Sequence, residues 1–185
     1  MITRYLYYIY NQAKRTIFFV VSLLALVSVG CIGEEEEFTH ENTTIVSVGD
    51  AAPDFEVELL GGEKITLSSL HGQVTMLILF STSCPDCQAQ FTAMQSLISQ
   101  QEPQFRILAI SREESAETTA KFIERYDVRF DVGTDPDRSI YNRYASRFVP
   151  RNFLIDREGK VKALTVEYEP NEFLSIWHQA ESLVK

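Results

Sequence analysis

The alternation of apolar and polar positions divides the chain from Val48 onward into short strands and amphipathic helices. Glu56-Val57-Glu58-Leu59-Leu60 is an extended segment, Gly61-Gly62 marks a turn, and Glu63-Lys64-Ile65-Thr66-Leu67 returns, which predicts a hairpin. Ser68-Ser69-Leu70-His71-Gly72 reads as a short turn before Val74 to Phe80, a near-continuous apolar run of the kind covered on both faces. After Ser81-Thr82-Ser83 the period changes. Phe91, Met94, Leu97 and Ile98 recur at spacings of three and four, predicting a helix that runs from Pro85 to Gln100 and that Pro103 cannot continue. Phe105 to Ile110 is the next strand. Ser115 to Tyr126 is a helix with Ala116, Ala120, Phe122 and Ile123 on its apolar side. Arg129 to Val132 reads as a short edge strand, and Asp135-Pro136-Asp137 as a turn and cap before a short helix through Ile140, Tyr141 and Tyr144. Phe153–Asp156 and Val161–Val166 form a second hairpin around Arg157-Glu158-Gly159-Lys160. Pro170 opens a last helix with Phe173, Leu174, Ile176, Trp177, Ala180, Leu183 and Val184 on its apolar positions. The order predicts an α/β domain: a central mixed sheet flanked by helices, with an N-terminal β-hairpin extension.

Residues 1–30 stand outside this pattern. Arg4, Lys14 and Arg15 precede Ile17 to Val29, apolar apart from Ser22 and Ser28. The run is shorter than the roughly 20 residues a membrane span requires, and fits the core of a secretory signal. It ends in Ser28-Val29-Gly30-Cys31, which resembles a bacterial lipoprotein signal peptide, with Ser28 where leucine is usual. That resemblance implies lipid attachment at Cys31, a membrane anchor, and a cell-envelope location facing the periplasm or the cell surface. Residues 31–47, with Glu34-Glu35-Glu36-Glu37 at their head, read as an acidic flexible tether. The acidic run also resembles a surface-export signal of lipoproteins in one group of Gram-negative bacteria. Residues 48–185 form the folded domain.

Charge narrows the function. The formal net charge is −9, which excludes nonspecific nucleic-acid binding, a property of basic surfaces. Of the three cysteines, Cys31 is assigned to lipid attachment, so a single pair remains and no disulfide framework is built. That pair is Cys84-Pro85-Asp86-Cys87, placed where the buried strand gives way to a helix. A thiol at a helix N-terminus faces free N–H groups and the positive end of the macrodipole, both of which favour a thiolate. Pro85 suits the first turn, where an N–H is not needed. The motif reads as a redox dithiol. Asp86 adds a negative charge that opposes thiolate formation, so the couple is expected to be reducing rather than strongly oxidising.

Set beside Ala52-Pro53-Asp54-Phe55, Ile65-Thr66-Leu67-Ser68-Ser69-Leu70-His71-Gly72 and Val149-Pro150-Arg151-Asn152-Phe153-Leu154-Ile155-Asp156-Arg157-Glu158-Gly159, this dithiol resembles the thioredoxin superfamily, in particular its membrane-tethered TlpA/ResA-type thiol–disulfide oxidoreductases. The resemblance covers Val48 to Lys185. It implies a thioredoxin-like fold, Cys84 as attacking thiolate, Cys87 as resolving thiol, and Pro150 as a cis-proline beside them. The Val149 backbone would then pair with an extended substrate. Protein thiols and disulfides would be the substrates and a membrane or envelope protein the electron donor; the Cys84–Cys87 pair would itself carry the electrons, without metal or other cofactor. The chain departs from these relatives at three places. Ser83 replaces a common tryptophan, and thioredoxin's buried acid falls on Ile78. The acid that TlpA/ResA-type proteins carry after the second cysteine falls on Gln90, which cannot accept a proton. The proton acceptor for Cys87 is then solvent or Asp86, and slow turnover is expected. Arg151 is expected either to bias the groove toward acidic partners or to point to solvent.

Three other readings compete. Ala52-Pro53-Asp54-Phe55 also resembles a peroxiredoxin, but Thr82 and Ile78 break the pattern around that family's peroxidatic cysteine. A metal-handling module needs further ligands, and His40, His71 and His178 all lie far from Pro150 in sequence. A non-catalytic accessory lipoprotein is favoured only by Gln90.

Overall fold

The computed structural model describes residues 38–185. The expected signal peptide, Cys31 and the acidic run through Glu37 lie outside the described residues. A two-stranded hairpin, β1 (Glu56–Glu58) and β2 (Lys64–Thr66), leads through a 3-10 turn at Leu67–Leu70 into the main sheet. That sheet contains β3 (Thr75–Phe80), β4 (Arg106–Arg112), β5 (Asp131–Asp135), β6 (Arg151–Ile155) and β7 (Val161–Val166), in the order β5-β4-β3-β6-β7. β3, β4 and β5 are parallel, and their crossovers are α1 (Pro85–Gln100) and α2 (Ala116–Arg125). β6 runs antiparallel to β3, and β7 to β6. The short α3 (Tyr141–Tyr144) precedes β6, and α4 (Pro170–Val184) closes the chain. The mixed sheet and its N-terminal hairpin are those the apolar pattern predicts.

Every residue of β3 is buried, which fits a central strand covered on both faces. Phe80 meets Phe91 of α1 and Phe122 of α2 at ring distances of 4.8 and 5.4 Å, and Phe91 and Phe122 stand 5.0 Å apart edge to face. This aromatic triad fixes both crossover helices on one face. On the other face, Phe153 of β6 packs on Tyr144 of α3. Ser115 caps α2 by accepting from the Thr118 N–H at 3.2 Å.

β5 begins at Asp131, later than the pattern suggests. Asp127 is left-handed (φ 49°) and Arg129 pairs back onto its carboxylate at 2.9 Å, so the turn continues past Arg129 before pairing with β4 starts. The hairpin lies along β5: Leu60 N–H donates to Val132 O at 2.8 Å, and Leu59 bridges Gly133. A Cβ at Gly133 would stand 2.5 Å from Val57 Cγ2, so only glycine lets the hairpin approach this closely.

The expected tether needs correction over residues 38–47. Thr43 and Val46 are buried, Thr44 bridges Ala145, and Ile45 N–H donates to Tyr144 O at 2.9 Å. The cause is Arg151. Its side chain, expected in a groove or in solvent, is fully buried. Its guanidinium donates to Arg147 O at 2.7 Å, Thr43 Oγ1 at 2.9 Å, Thr43 O at 3.2 Å and also to Thr44 Oγ1. Burial lowers the pKa of this guanidinium, and the acceptors around it are neutral oxygens, so the segment bearing Thr43 and Thr44 is needed to satisfy a buried cation. The folded domain therefore includes residues N-terminal to Val48, among them Thr43 to Val46. A chain beginning at Val48 is expected to lose about 3–5 kcal/mol of stability, the usual cost of stripping partners from a buried charge. Urea denaturation measures it, and an unchanged midpoint would refute the role given to the segment.

Candidate active site

The central strand ends at Phe80 and delivers Ser81-Thr82-Ser83 to the start of α1. Cys84 occupies the N-cap position with extended backbone (φ −78°, ψ 122°), and Pro85 stands in the first turn. Cys84 is partly exposed and Cys87, one turn along, is fully buried. An accessible thiol followed by an inaccessible one is the asymmetry that an attacking and a resolving cysteine require. Burial pushes the Cys87 thiol well above its ordinary value. A backbone hydrogen bond from Ser81 works the other way, and the neighbouring Cys84 and Asp86 raise it further.

Antiparallel pairing of β3 with β6 sets Leu79 opposite Arg151, which brings the preceding Val149-Pro150 beside the dithiol loop. The Val149–Pro150 peptide bond is cis, as the resemblance implies. Three successive carbonyls pin this loop. Phe148 O accepts from Tyr141 Oη at 2.6 Å, Val149 O from Cys84 Sγ at 3.4 Å, and Pro150 O from Glu167 N–H at 2.8 Å. Burial holds the Tyr141 phenol above its usual pKa, so it stays a donor. Phe148 is left-handed (φ 67°), an uncommon conformation outside glycine, and the His40 ring packs edge-on against its ring at 5.2 Å. Among the described residues the Val149 N–H has no partner.

Gln90 is fully buried beneath the dithiol. It forms a reciprocal amide pair with Asn152 of β6: Gln90 Nε2 donates to Asn152 Oδ1 at 2.7 Å, and Asn152 Nδ2 donates to Gln90 Oε1 at 2.9 Å and to Thr165 Oγ1 at 2.9 Å. Every polar atom of the pair is used by neutral partners, so it ties the redox helix to the cis-proline strand and accepts no proton. Asp86, the other acid considered, is exposed. The histidines have other partners: His40 pairs with Glu167, His178 with Glu181, and His71 packs against Gly159.

The sequence points to Cys84, Cys87, Val149 and Pro150 as site residues, and the structure brings these four side by side. Sequence reasoning missed Asn152, Tyr141 and Glu114. The signal for Asn152 was a polar residue inside an otherwise apolar strand. For Glu114 it was position, since the carboxyl ends of parallel strands are where sites form in α/β sheets.

A dithiol at a strand-to-helix junction, facing a cis-proline loop on a thioredoxin-like sheet, defines a thiol–disulfide oxidoreductase. The chain belongs to the AhpC/TSA family, whose sequence profile matches residues 48–164. It is 32% identical over 152 residues to the thiol-disulfide oxidoreductase ResA of Bacillus thuringiensis subsp. konkukian, covering 81% of this chain and 87% of the relative. The solution structure of a candidate protein disulfide isomerase from Bacteroides thetaiotaomicron superposes with a TM-score of 0.70 at 34% identity, over 76% of this chain and 92% of that one. The crystal structure of a candidate thiol:disulfide interchange protein DsbE from Chlorobium tepidum superposes with a TM-score of 0.62 at 25% identity, over 76% of this chain and 99% of that one.

Restoring an acid at position 90 tests the amide pair. In Gln90→Glu a carboxylate would face Asn152 Oδ1 with no donor between them. The variant is expected to lose about 1–3 kcal/mol, the cost of an unsatisfied buried group. Thermal denaturation at neutral and acidic pH checks it. The loss should shrink in acid, where the carboxyl regains a proton to donate.

Proposed function

We propose that this protein reduces protein disulfides in the cell envelope, where a lipid on Cys31 holds it to a membrane. The observation that carries the reading is the pairing of an accessible Cys84 with a buried Cys87 beside an unpaired Val149 N–H. An extended substrate strand adds at Val149, which sets its disulfide against Cys84. The Cys84 thiolate attacks one substrate sulfur, a mixed disulfide forms, and the first substrate thiolate leaves. Cys87 then loses its proton and attacks the Cys84 sulfur. The intramolecular disulfide closes and the second substrate thiol is released. An envelope electron donor returns the pair to the dithiol by the reverse exchange. The two sulfurs carry both electrons, so no further cofactor enters the cycle. The lipid anchor rests on the sequence of residues 28–31, and the reducing direction on the charge of Asp86.

Turnover of a peptide disulfide by the purified protein tests the assignment. Cys84→Ser is expected to abolish it, and Cys87→Ser to accumulate a mixed disulfide visible by mass spectrometry. Retained turnover in Cys84→Ser would refute the assignment. The dithiol is expected to equilibrate near about −270 mV or below, as reductants of this chemistry do, and a value near about −120 mV would mark an oxidant instead.

With the Cys87 thiol raised and no acid within the amide pair beneath it, the resolving thiolate is a small fraction at neutral pH. The resolution rate is therefore expected to rise about tenfold per unit between about pH 6 and 9. Stopped-flow measurement of mixed-disulfide decay checks this; a plateau inside that range would reveal a base in the site.

A further inference from the structure

Glu114, on the loop that leaves β4, makes a dense set of contacts at the site that the disulfide-exchange scheme leaves unused. Its Oε1 accepts from Ser81 Oγ, Thr82 N–H and Thr82 Oγ1, each at 2.9 Å, and its Oε2 accepts from the same Thr82 N–H at 3.1 Å. The partners are neutral donors from two adjacent residues, so the carboxylate acts as a clamp on the loop that joins the central strand to Cys84. Gln88 Nε2 holds the same loop from the helix side, donating to Thr82 O at 2.9 Å, and Cys84 N–H closes its turn on Ser81 O at 3.3 Å. The neighbouring Glu113 is left-handed (φ 59°) and lies within ion-pair distance of Arg112 and Arg138, so the two adjacent carboxylates serve different partners. Ser81 is the hinge of the arrangement: its side chain reaches Glu114, and its backbone lies on the Cys87 side, where it favours the Cys87 thiolate.

We propose that Glu114 is a positioning residue for the second thiol transfer. By fixing Ser81 and Thr82 it holds the backbone that faces the Cys87 sulfur, and so sets the rate at which Cys87 attacks the Cys84 mixed disulfide, without touching substrate. The inference rests on the dithiol reading above. It also makes a distinction between charge and geometry. The negative charge of Glu114 works against a nearby thiolate, so a purely electrostatic role would make its removal speed the reaction. The clamp predicts the opposite sign.

The test uses the full-length reduced protein and one equivalent of the aromatic disulfide dithiobis(nitrobenzoate). Cys84 attacks the reagent, becomes linked to one nitrothiobenzoate and releases the other. Cys87, deprotonated by solvent, then displaces the second nitrothiobenzoate and closes the protein disulfide. The two releases give two absorbance phases. Glu114→Ala is expected to slow the second phase by at least about tenfold while the first changes by less than about twofold, since small misplacements of reacting groups cost rate steeply. Glu114→Gln, which keeps one oxygen acceptor, should recover most of the loss. Thr82→Val, which removes one hydroxyl donor and leaves the charge, should be intermediate. An unchanged second phase in Glu114→Ala, equal slowing of both phases, or a Gln variant faster than the unaltered protein would each overturn the proposal. If the unaltered protein shows no first phase, the dithiol reading itself falls, and the inference with it. If the alanine variant fails to fold, the Gln and Val variants carry the same comparison.

Discussion

The register of β6 against β3 is the constraint on which the site depends. Pairing Leu79 with Arg151 leaves Pro150 and Val149 to continue past the end of β6 alongside the loop that carries Cys84. A slip of one residue would do more than displace the proline. Successive side chains on a strand face opposite sides of the sheet, so Arg151 and Asn152 would exchange faces. Asn152 would leave Gln90 without its partner on the helix side, and Arg151 would leave Thr43 and Thr44 on the other. Two buried polar groups with incompatible partners thus hold the strand in one position.

Those two groups also divide the labour between the faces. On the side of α1 the amide pair is neutral and complete, and it links the second cysteine's helix to the cis-proline strand. On the side of α3 a buried guanidinium gathers Thr43, Thr44 and the Arg147 carbonyl around the base of the same loop. The loop that meets the dithiol is thereby held from below on both faces and, through Tyr141 and Glu167, along its own backbone. Among the described residues the Val149 amide, next to the Cys84 sulfur, is left unpaired.

Most of the fold was legible in the sequence because burial writes a clear period. β3, α1 and α4 follow from runs of apolar residues, and the dithiol from its place at a strand-to-helix change. The misread parts share a physical cause: a polar side chain whose partner lies far along the chain. Arg151 after Pro150 looks like a surface residue until Thr43 and Thr44, more than a hundred positions earlier, are seen to complete it. For the same reason residues 38–47, polar in composition, looked like tether. Gln90 announced the loss of an acid, but only the structure could show that Asn152 partners both its amide oxygen and its amide nitrogen. Glu114 carries no local signal beyond its acidity and its position after a strand.

The hairpin laid along β5 bears on how the molecule meets other chains. A bare outer strand offers a row of unsatisfied amides and carbonyls, to which any extended polypeptide, including another copy of the same protein, can add. Here Leu59 and Leu60 occupy part of that row, and Gly133 is bare enough of side chain to let them in. An incoming strand is thus denied that part of the sheet's flank. A free backbone donor is left at Val149, beside the Cys84 sulfur. On the function proposed above, strand addition is productive only at Val149, and the hairpin keeps its stretch of β5 from offering a competing edge.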